Sequence, residues 1–323
     1  MNTKKSVLEL LEESRGEPVS GEKAAALLQV SRNAVWKAVR ELKKDGYQIE
    51  ATTKKGYRFC ETNDILSAEG MKPYLKDSQF SENICVFPVL ESTNFTAKEA
   101  AVNGAPHGSV TVALRQTFGK GRYSRTFFAP TGGIYMSFIL RPEYIPFKNA
   151  TTITAFAAIS VCESIEAVTG KNPSIKWVND IFLSDLKICG ISTEAATELE
   201  SGSFAWIVLG IGINYDTREF PENLAGIAGS IYPNGNAPQP KNRLAAEVIN
   251  RILSRAYPTE TEVFAAYKKR LMMLGKNITV YSTNETYEAT AIDIDEAGRL
   301  IVQKQNGETC ALFAGEISLS GKK

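Results

Sequence analysis

Residues 115 to 133 read RQTFGKGRYSRTFFAPTGG, and Gly119, Lys120, Gly121, Arg122 and Arg125 in this loop directly follow a β-rich run, SVTVALRQT. Glycines let backbone N–H groups approach a ligand closely, and the cations would neutralise phosphate or carboxylate. The loop is not a Walker A sequence, which needs Gly-Lys-Ser/Thr leading into a helix, nor is it Gly-x-Gly-x-x-Gly. On its own it would pass for an ordinary glycine-rich turn. Other segments add chemistry. ESTN, residues 91–94, puts Ser92, Thr93 and Asn94 at a helix start, and KWVND, residues 176–180, sets Lys176, Trp177, Asn179 and Asp180 at a strand end. GIGIN ends at Asn214, and LKICGISTE carries Lys187 inside an apolar run. Ser92 also reads as a helix N-cap, Trp177 as core and Asp180 as the cap of a turn. Lys187 calls for an anionic partner or a role in chemistry, because lysines are rarely buried without one.

A single histidine, His107, serves the chain, in the turn-like NGAPHGS. That excludes a histidine-rich metal site, and His107 itself reads as a loop residue outside the chemistry. Reactions here would run on Lys, Arg and a metal. The five cysteines, with no Cys-x-x-Cys pair, suggest neither a disulfide framework nor a zinc site and read as reduced, mostly buried thiols.

The positioning elements follow from periodicity. KSVLELLEE gives one helix, SGEKAAALLQ a second capped by Ser20, and SRNAVWKAVRELKKDG a third capped by Ser31. Val35, Ala38, Val39 and Leu42 make the buried stripe of the third helix, with Val30 and Val35 placed as a hydrophobic staple. Asn33, Lys37, Arg40 and Lys44 share its other face. YQIEATTKKGYRF then reads as a hairpin with a basic turn at Lys54, Lys55 and Gly56. Residues 31–58 hold eight Lys or Arg against three acids, a local electrostatic footprint inside a chain of net charge +1. Together these give a winged helix-turn-helix that binds DNA, with Asn33 and Lys37 offered to the major groove, Ser31 and Arg32 beside them, and Lys54 and Lys55 on phosphate.

A length of 323 residues exceeds what one core usually serves. Polar residues near 62–68 mark a linker. Beyond it, β-rich runs intermix with helices such as STNFTAKEAAV, TTITAFAAISVCESIEAV and KNRLAAEVINRILSRAY, giving a mixed α/β domain with one large sheet. After a last helix, EVFAAYKKRLMML, the tail is wholly β, with EAG and NGE turns, and reads as a small barrel. The domains expected are residues 1–65, 66–273 and 274–323. No run approaches the ~18 to 20 apolar residues of a membrane span and no secretory leader is visible, so a soluble cytoplasmic protein is expected.

Taken together, the segments ESTN, GKGR, KWVND, LKICGISTE and GIGIN resemble the biotin protein ligases, and the N-terminal module narrows the match to the bifunctional biotin operon repressors, over essentially the whole chain. The resemblance implies a class II synthetase-like catalytic domain and an SH3-like C-terminal barrel within an α+β multidomain chain. It implies that biotin and ATP give biotinyl-5′-AMP and pyrophosphate, with Mg²⁺, and that the adenylate then biotinylates a lysine of a carrier domain of acetyl-CoA carboxylase or another biotin-dependent carboxylase. By similarity Ser92, Thr93, Asn94 and Gln116 hold biotin, with Lys120 and Gly121 closing over it. Arg122 and Lys187 face carboxylate and phosphate as the catalytic cations. Arg125, Phe127, Asn179 and Asn214 line the nucleotide, and Asp180 the metal side. A ligand-promoted homodimer on palindromic operator DNA is also implied. The chain departs from the family's pattern at Lys120 (usually Arg), Phe127 (Trp), Val178 (Pro) and Ser192 (Leu). A lipoate-type ligase and a biotin-sensing transcription factor with little turnover are the competing readings.

Overall fold

Asn2, Ser20 and Ser31 each cap a helix by accepting a backbone N–H, from Lys4 at 3.1 Å, Lys23 at 3.0 Å and Ala34 at 3.1 Å. The helices they open are α1 (Thr3–Glu13), α2 (Gly21–Leu28) and α3 (Arg32–Lys44), with β1 (Pro18–Val19) between the first two. The structure is a computed structural model and describes residues 2–52, 55–121, 126–197, 200, 202–235, 237–254, 256–281, 285–313 and 316–319. Two compact units are present: Met1–Val86 with Ala237–Asn250, and Phe87–Asn236 with Arg251–Lys323.

In the first unit Val35, Ala38, Val39 and Leu42 are the buried residues of α3, the stripe read from spacing, and they share a core with Val7, Leu8, Leu11 and Phe59. β2 (Ile49–Thr52) and β3 (Gly56–Phe59) form the hairpin, and β1 joins it in the order β1-β3-β2. Gly56 has φ +99°, and a Cβ there would fall 2.1 Å from the Val19 carbonyl oxygen, so the turn requires glycine on both counts. Residues 62–68 are no free linker. Asp64 pairs with Lys241 at 2.7 Å, and Asn242 accepts from Ser67 N at 2.9 Å and donates to Ile65 O at 2.9 Å. Specific side-chain bonds to a distant segment, invisible to composition, tie this stretch down and extend the unit through α4 (Ala68–Met71) towards β4 (Ile84–Phe87).

In the second unit α5 (Thr93–Val102), β5 (Ser109–Ala113), β6 (Gly133–Leu140), α6 (Ala150–Thr169), β7 (Ser174–Lys176), β8 (Asp180–Leu183), β9 (Leu186–Thr197) and β10 (Phe204–Asn214) follow in chain order. The strands lie antiparallel in the order β5-β6-β10-β9-β8-β7. Every residue of β6 is buried, as expected of a strand covered on both faces. Contrary to the reading that no run was long enough, α6 has the length and apolarity to cross a membrane, at mean hydropathy 1.3, but 72% of that stretch is buried inside the fold. It is the core helix beneath the sheet, and its two glutamates find cations: Glu163 pairs with Arg251 at 2.5 Å and Glu166 with Arg270.

α7 (Lys241–Ile252) begins in the first unit, and α8 (Glu260–Arg270) opens on a capping box of Thr259 and Glu262. α8 stops at Arg270, short of the EVFAAYKKRLMML run, because Leu271 turns extended and bridges Ile175. β11 (Asn277–Tyr281), β12 (Thr286–Ile294), β13 (Leu300–Lys304), β14 (Thr309–Leu312) and β15 (Glu316–Leu319) then pair antiparallel in the order β14-β13-β12-β11-β15. Gly298 and Gly307, with φ of +76° and +88°, sit in the two turns read from EAG and NGE.

Candidate functional site

The sheet's β9 and β10 are floored with glycine where they cross the middle of the second unit. Gly190 and Gly212 are cross-strand partners, and Gly210 pairs with Ser192. Cβ atoms at Gly190 and Gly212 would lie 3.0 and 2.7 Å from the Phe127 ring, and one at Gly210 would lie 2.1 Å from Asn94 Oδ1. The absence of those methyl groups lets Phe127 and Asn94 pack directly on the strands, and the three glycines line a cavity of about 420 Å³.

One end of the cavity is neutral and dense in hydrogen bonds. Ser92 occupies the N-cap position of α5 but its hydroxyl makes no capping bond; it is buried and lines the cavity. Gln116 Oε1 accepts from Thr93 N at 2.7 Å and from Thr93 Oγ1 at 3.1 Å. Ser137 Oγ lies 2.8 Å from Thr93 Oγ1 and 2.6 Å from Asn94 Oδ1, while Asn94 Nδ2 donates to Ser192 Oγ at 3.0 Å and Glu194 Oε1 at 2.8 Å. Lys98 also pairs with Glu194. Burial works to raise the Glu194 carboxyl, but the bonds from Lys98 and Asn94, with the charges of Lys98 and Lys120, hold it below the usual carboxylate range. Sequence reading missed Ser137, Glu194 and Lys98. The signal available was the period-two run of Gly190, Ser192 and Glu194 along β9, which puts three non-apolar positions on one face.

The other end is charged. Lys187 Nζ meets Asp180 Oδ1 at 2.6 Å, across paired strands β8 and β9, which supplies the anionic partner expected of a lysine in an apolar run. Asp180 therefore answers Lys187 rather than capping a turn. Asn179 Nδ2 donates to Ile191 O at 2.6 Å, and Asn214 Nδ2 to Gly229 O at 3.0 Å, while the buried Asn214 Oδ1 has no hydrogen-bond partner. An orphaned acceptor on a cavity wall is a place for a ligand's N–H or O–H. Trp177 is both core and site: it is buried, lines the cavity and donates from Nε1 to Gly298 O at 3.1 Å. Ile317 of β15 also reaches the cavity wall.

The two described flanks of the glycine-rich loop pair with each other beside this space. Gln116 N donates to Ala129 O at 2.9 Å, Phe127 N to Gly119 O at 2.8 Å, and Lys120 bridges Thr126. Lys120, Gly121, Thr126 and Phe127 all line the cavity, and Arg122 and Arg125 lie outside the described residues. Phe127, expected on a nucleotide, lines the cavity and rests its ring on the Gly190 and Gly212 floor with Tyr135 edge-on at 6.3 Å. Apolar contact with bare strand backbone leaves it half-buried.

His107 lies apart from this site. Its Nδ1 accepts from Arg141 N at 3.2 Å, its ring stacks on Tyr144 at 4.8 Å, and burial lowers its pKa, with Glu143 opposing. All five cysteines are free. Burial pushes the Cys162 thiol up to about 12 and Cys189 well above its ordinary value, but Cys85 is exposed and Cys60 and Cys310 are half-buried, so only two are buried rather than most. In the first unit Ser31, Arg32, Asn33 and Lys37 are exposed on or beside the N-terminal half of α3 and Lys55 is exposed at the hairpin turn, whereas Lys54 lies outside the described residues.

Comparison with known proteins gives three family-model matches: the biotin/lipoate A/B protein ligase family over residues 86–214, an HTH domain over 3–58, and the biotin protein ligase C-terminal domain over 273–320. The chain is 35% identical over 313 residues to the bifunctional ligase/repressor BirA of Bacillus subtilis, covering 94% of this chain and 95% of that one. It is 28% identical to the BirA of Escherichia coli, covering 95% of this chain and 94% of that one. The Aquifex aeolicus biotin protein ligase, solved in complex with biotin and ATP, superposes with a TM-score of 0.63 at 24% identity over 74% of this chain and 98% of that one, a likeness of fold.

Proposed function

Because this chain belongs to the bifunctional biotin ligase/repressor family, we propose that its cavity joins biotin to ATP and that its N-terminal module carries the product's signal to DNA. The protein is an ATP-dependent biotin protein ligase and a biotin-responsive repressor. Biotin's carboxylate oxygen attacks the α-phosphorus of ATP, the bond to the leaving pyrophosphate breaks, and biotinyl-5′-AMP forms. A lysine amine of the carrier domain then attacks the acyl carbonyl, AMP leaves, and an amide results.

The observation that carries this reading is the division of one cavity, hydrogen-bonding around Ser92, Thr93, Asn94 and Gln116 and charged at the Lys187–Asp180 pair. A neutral ureido ring suits the first end and a carboxylate beside phosphates the second. We assign Ser92, Thr93, Asn94 and Gln116 to the ring, with the backbone of Lys120 and Gly121 closing over it. Lys187 and Arg122 stabilise the charge that gathers as two anions approach. Arg125, Phe127, Asn179 and Asn214 take the nucleotide, the orphaned Asn214 Oδ1 accepting from it. Among the described residues no three His, Cys, Asp or Glu side chains gather as a metal group, but Mg²⁺ is usually held by one or two carboxylates plus substrate phosphates. Asp180 fits as that carboxylate. Mg²⁺ so held would draw charge from the phosphate oxygens.

The finer assignments belong to the same reading: domains at 1–65, 66–273 and 274–323, a class II synthetase-like catalytic fold, an SH3-like closure of the five C-terminal strands, a cytoplasmic location, a carrier domain of acetyl-CoA carboxylase or a similar carboxylase as acceptor, and a homodimer on a palindromic operator through Ser31, Arg32, Asn33, Lys37, Lys54 and Lys55. The test is direct. Protein incubated with ATP, Mg²⁺ and labelled biotin should yield labelled adenylate and pyrophosphate. Absence of adenylate, or equal turnover of lipoate, would refute the assignment.

A further inference from the structure

We propose that Trp36 is a DNA-reading residue, its indole packing against a thymine methyl group in the major groove between the contacts of Asn33 and Arg40. This rests on the DNA-binding half of the function above.

Trp36 is 47% exposed on α3, although tryptophan is a residue whose large apolar surface is normally covered. It follows Asn33 by three positions and precedes Arg40 by four, so the three side chains form one stripe along the helix. The Arg40 guanidinium carbon stands 5.4 Å from the indole centroid, which holds the ring against the helix surface rather than leaving it to sweep through solvent.

The surroundings of the indole argue for the chemistry of its partner. Arg32, Lys37, Lys43 and Lys44 are exposed on the same helix and make no ion pair with any described residue. Two nearby acids are already engaged: Asp45 by Lys4, and Glu50 by Arg58 at 2.6 Å. Glu41 is the remaining acid of the helix. An apolar ring framed by unpaired cations matches a polyanion that carries an apolar group, since lysines and arginines can take the phosphates while the ring meets something uncharged. The C5-methyl of thymine is the apolar group that duplex DNA displays in its major groove. A second protein chain would have to bring its own acids to this face as well as an apolar patch.

The test uses the full-length protein. Duplexes that bind it are selected from a random pool and then made in two forms, with thymine or with uracil, which lacks only the methyl. Trp36→Ala should weaken binding of the thymine duplex by about tenfold at unchanged salt slope, the size of one lost base contact. Uracil should weaken the parent protein by a similar factor and leave Trp36→Ala almost unaffected, and Trp36→Phe should recover part of the loss. Lys37→Ala serves as the contrast, lowering the salt slope by about 0.9. Adenylate synthesis by Trp36→Ala, together with its helical circular dichroism, reports that the variant is folded. Parent-like binding of the thymine duplex by Trp36→Ala, or penalties from Trp36→Ala and uracil that simply multiply, would overturn the inference while leaving DNA binding intact. Loss of concentration-dependent self-association in Trp36→Ala, with DNA affinity unchanged, would assign the indole to a second copy and overturn it equally. If the parent protein selects no duplex, the DNA-binding reading falls and this inference with it.

Discussion

Lys187 is held by its backbone on both sides. Its N–H donates to Ile227 O at 2.8 Å and its carbonyl accepts from Gly229 N at 2.9 Å, and its side chain lines the charged end of the cavity. Asp180 at 2.6 Å keeps that ammonium positioned, and three N–H protons leave room for an incoming oxyanion as well. Lys187→Ala should cost on the order of 2 to 4 kcal/mol of transition-state stabilisation, as loss of a preorganised donor does, and slow adenylate synthesis by one to three orders of magnitude. A single-turnover rate within about threefold of the parent would remove Lys187 from the reacting centre. Ser192, one of the departures from the family's pattern, adds to the network at the neutral end. Its hydroxyl accepts from Asn94, a bond that leucine, usual at this position in the family, could not make.

Strands β9 and β10 make the site possible by what they lack. Gly210→Ala would place a methyl 2.1 Å from Asn94 Oδ1 and 2.7 Å from Ser192 Oγ, so the network at the neutral end must shift. Overpacking of this kind costs about 1 to 3 kcal/mol, and the expectation is a melting temperature lower by several degrees together with a raised KM for biotin. An unchanged KM would show that Asn94 does not orient biotin. The same strands anchor α5 through Glu194. Because the folded Glu194 carboxyl lies below its ordinary value of 4.5, its contribution to stability is complete above about that pH and is lost as pH falls through the lower, folded value. Glu194→Gln should therefore be less stable than the parent near neutrality, and the gap should narrow in acid below that window. A gap that stays constant from neutral to strongly acid pH, followed by denaturant unfolding, would show that the carboxylate's charge contributes nothing.

At the scale of the molecule, one chain joins an adenylate-forming cavity to a helix-turn-helix, and linkage makes the two interdependent if a shared state exists. If the basic loop orders around the adenylate, that ordering costs conformational entropy and creates new surface. A single module reads one half-site, so a ligand that favours a dimer must favour a palindromic operator by the same free energy. Biotinyl-AMP should therefore shift sedimentation towards the dimer and tighten operator binding, whereas biotin alone should do less and acceptor carrier domain should reverse the effect by consuming the adenylate. Unchanged sedimentation and operator affinity with the adenylate would mean that enzyme and repressor work independently.

By itself the sequence determined the local elements and the inventory of chemistry. The stripe of α3, the caps Ser20 and Ser31, the strands of the sheet and the EAG and NGE turns follow from periodicity and side-chain chemistry acting within a few residues, and such rules hold wherever the chain folds. Ser92, Asn214, Asp180 and Lys187 stand out because hydroxyl, amide and charge are conspicuous beside apolar runs, whereas Gln116 comes only from the family resemblance. The tertiary structure decided what no local rule contains. Asp64 and Lys241, 177 positions apart, tie an apparent linker into the first unit. Glu194 reaches Asn94 across 100 positions, Trp177 reaches Gly298 across 121, and the Phe127 ring finds its bed on two glycines from different strands. The Glu194 and Phe127 contacts exist only after β9 and β10 have paired in one register, because register sets which face each residue joins and so which distant side chains meet there.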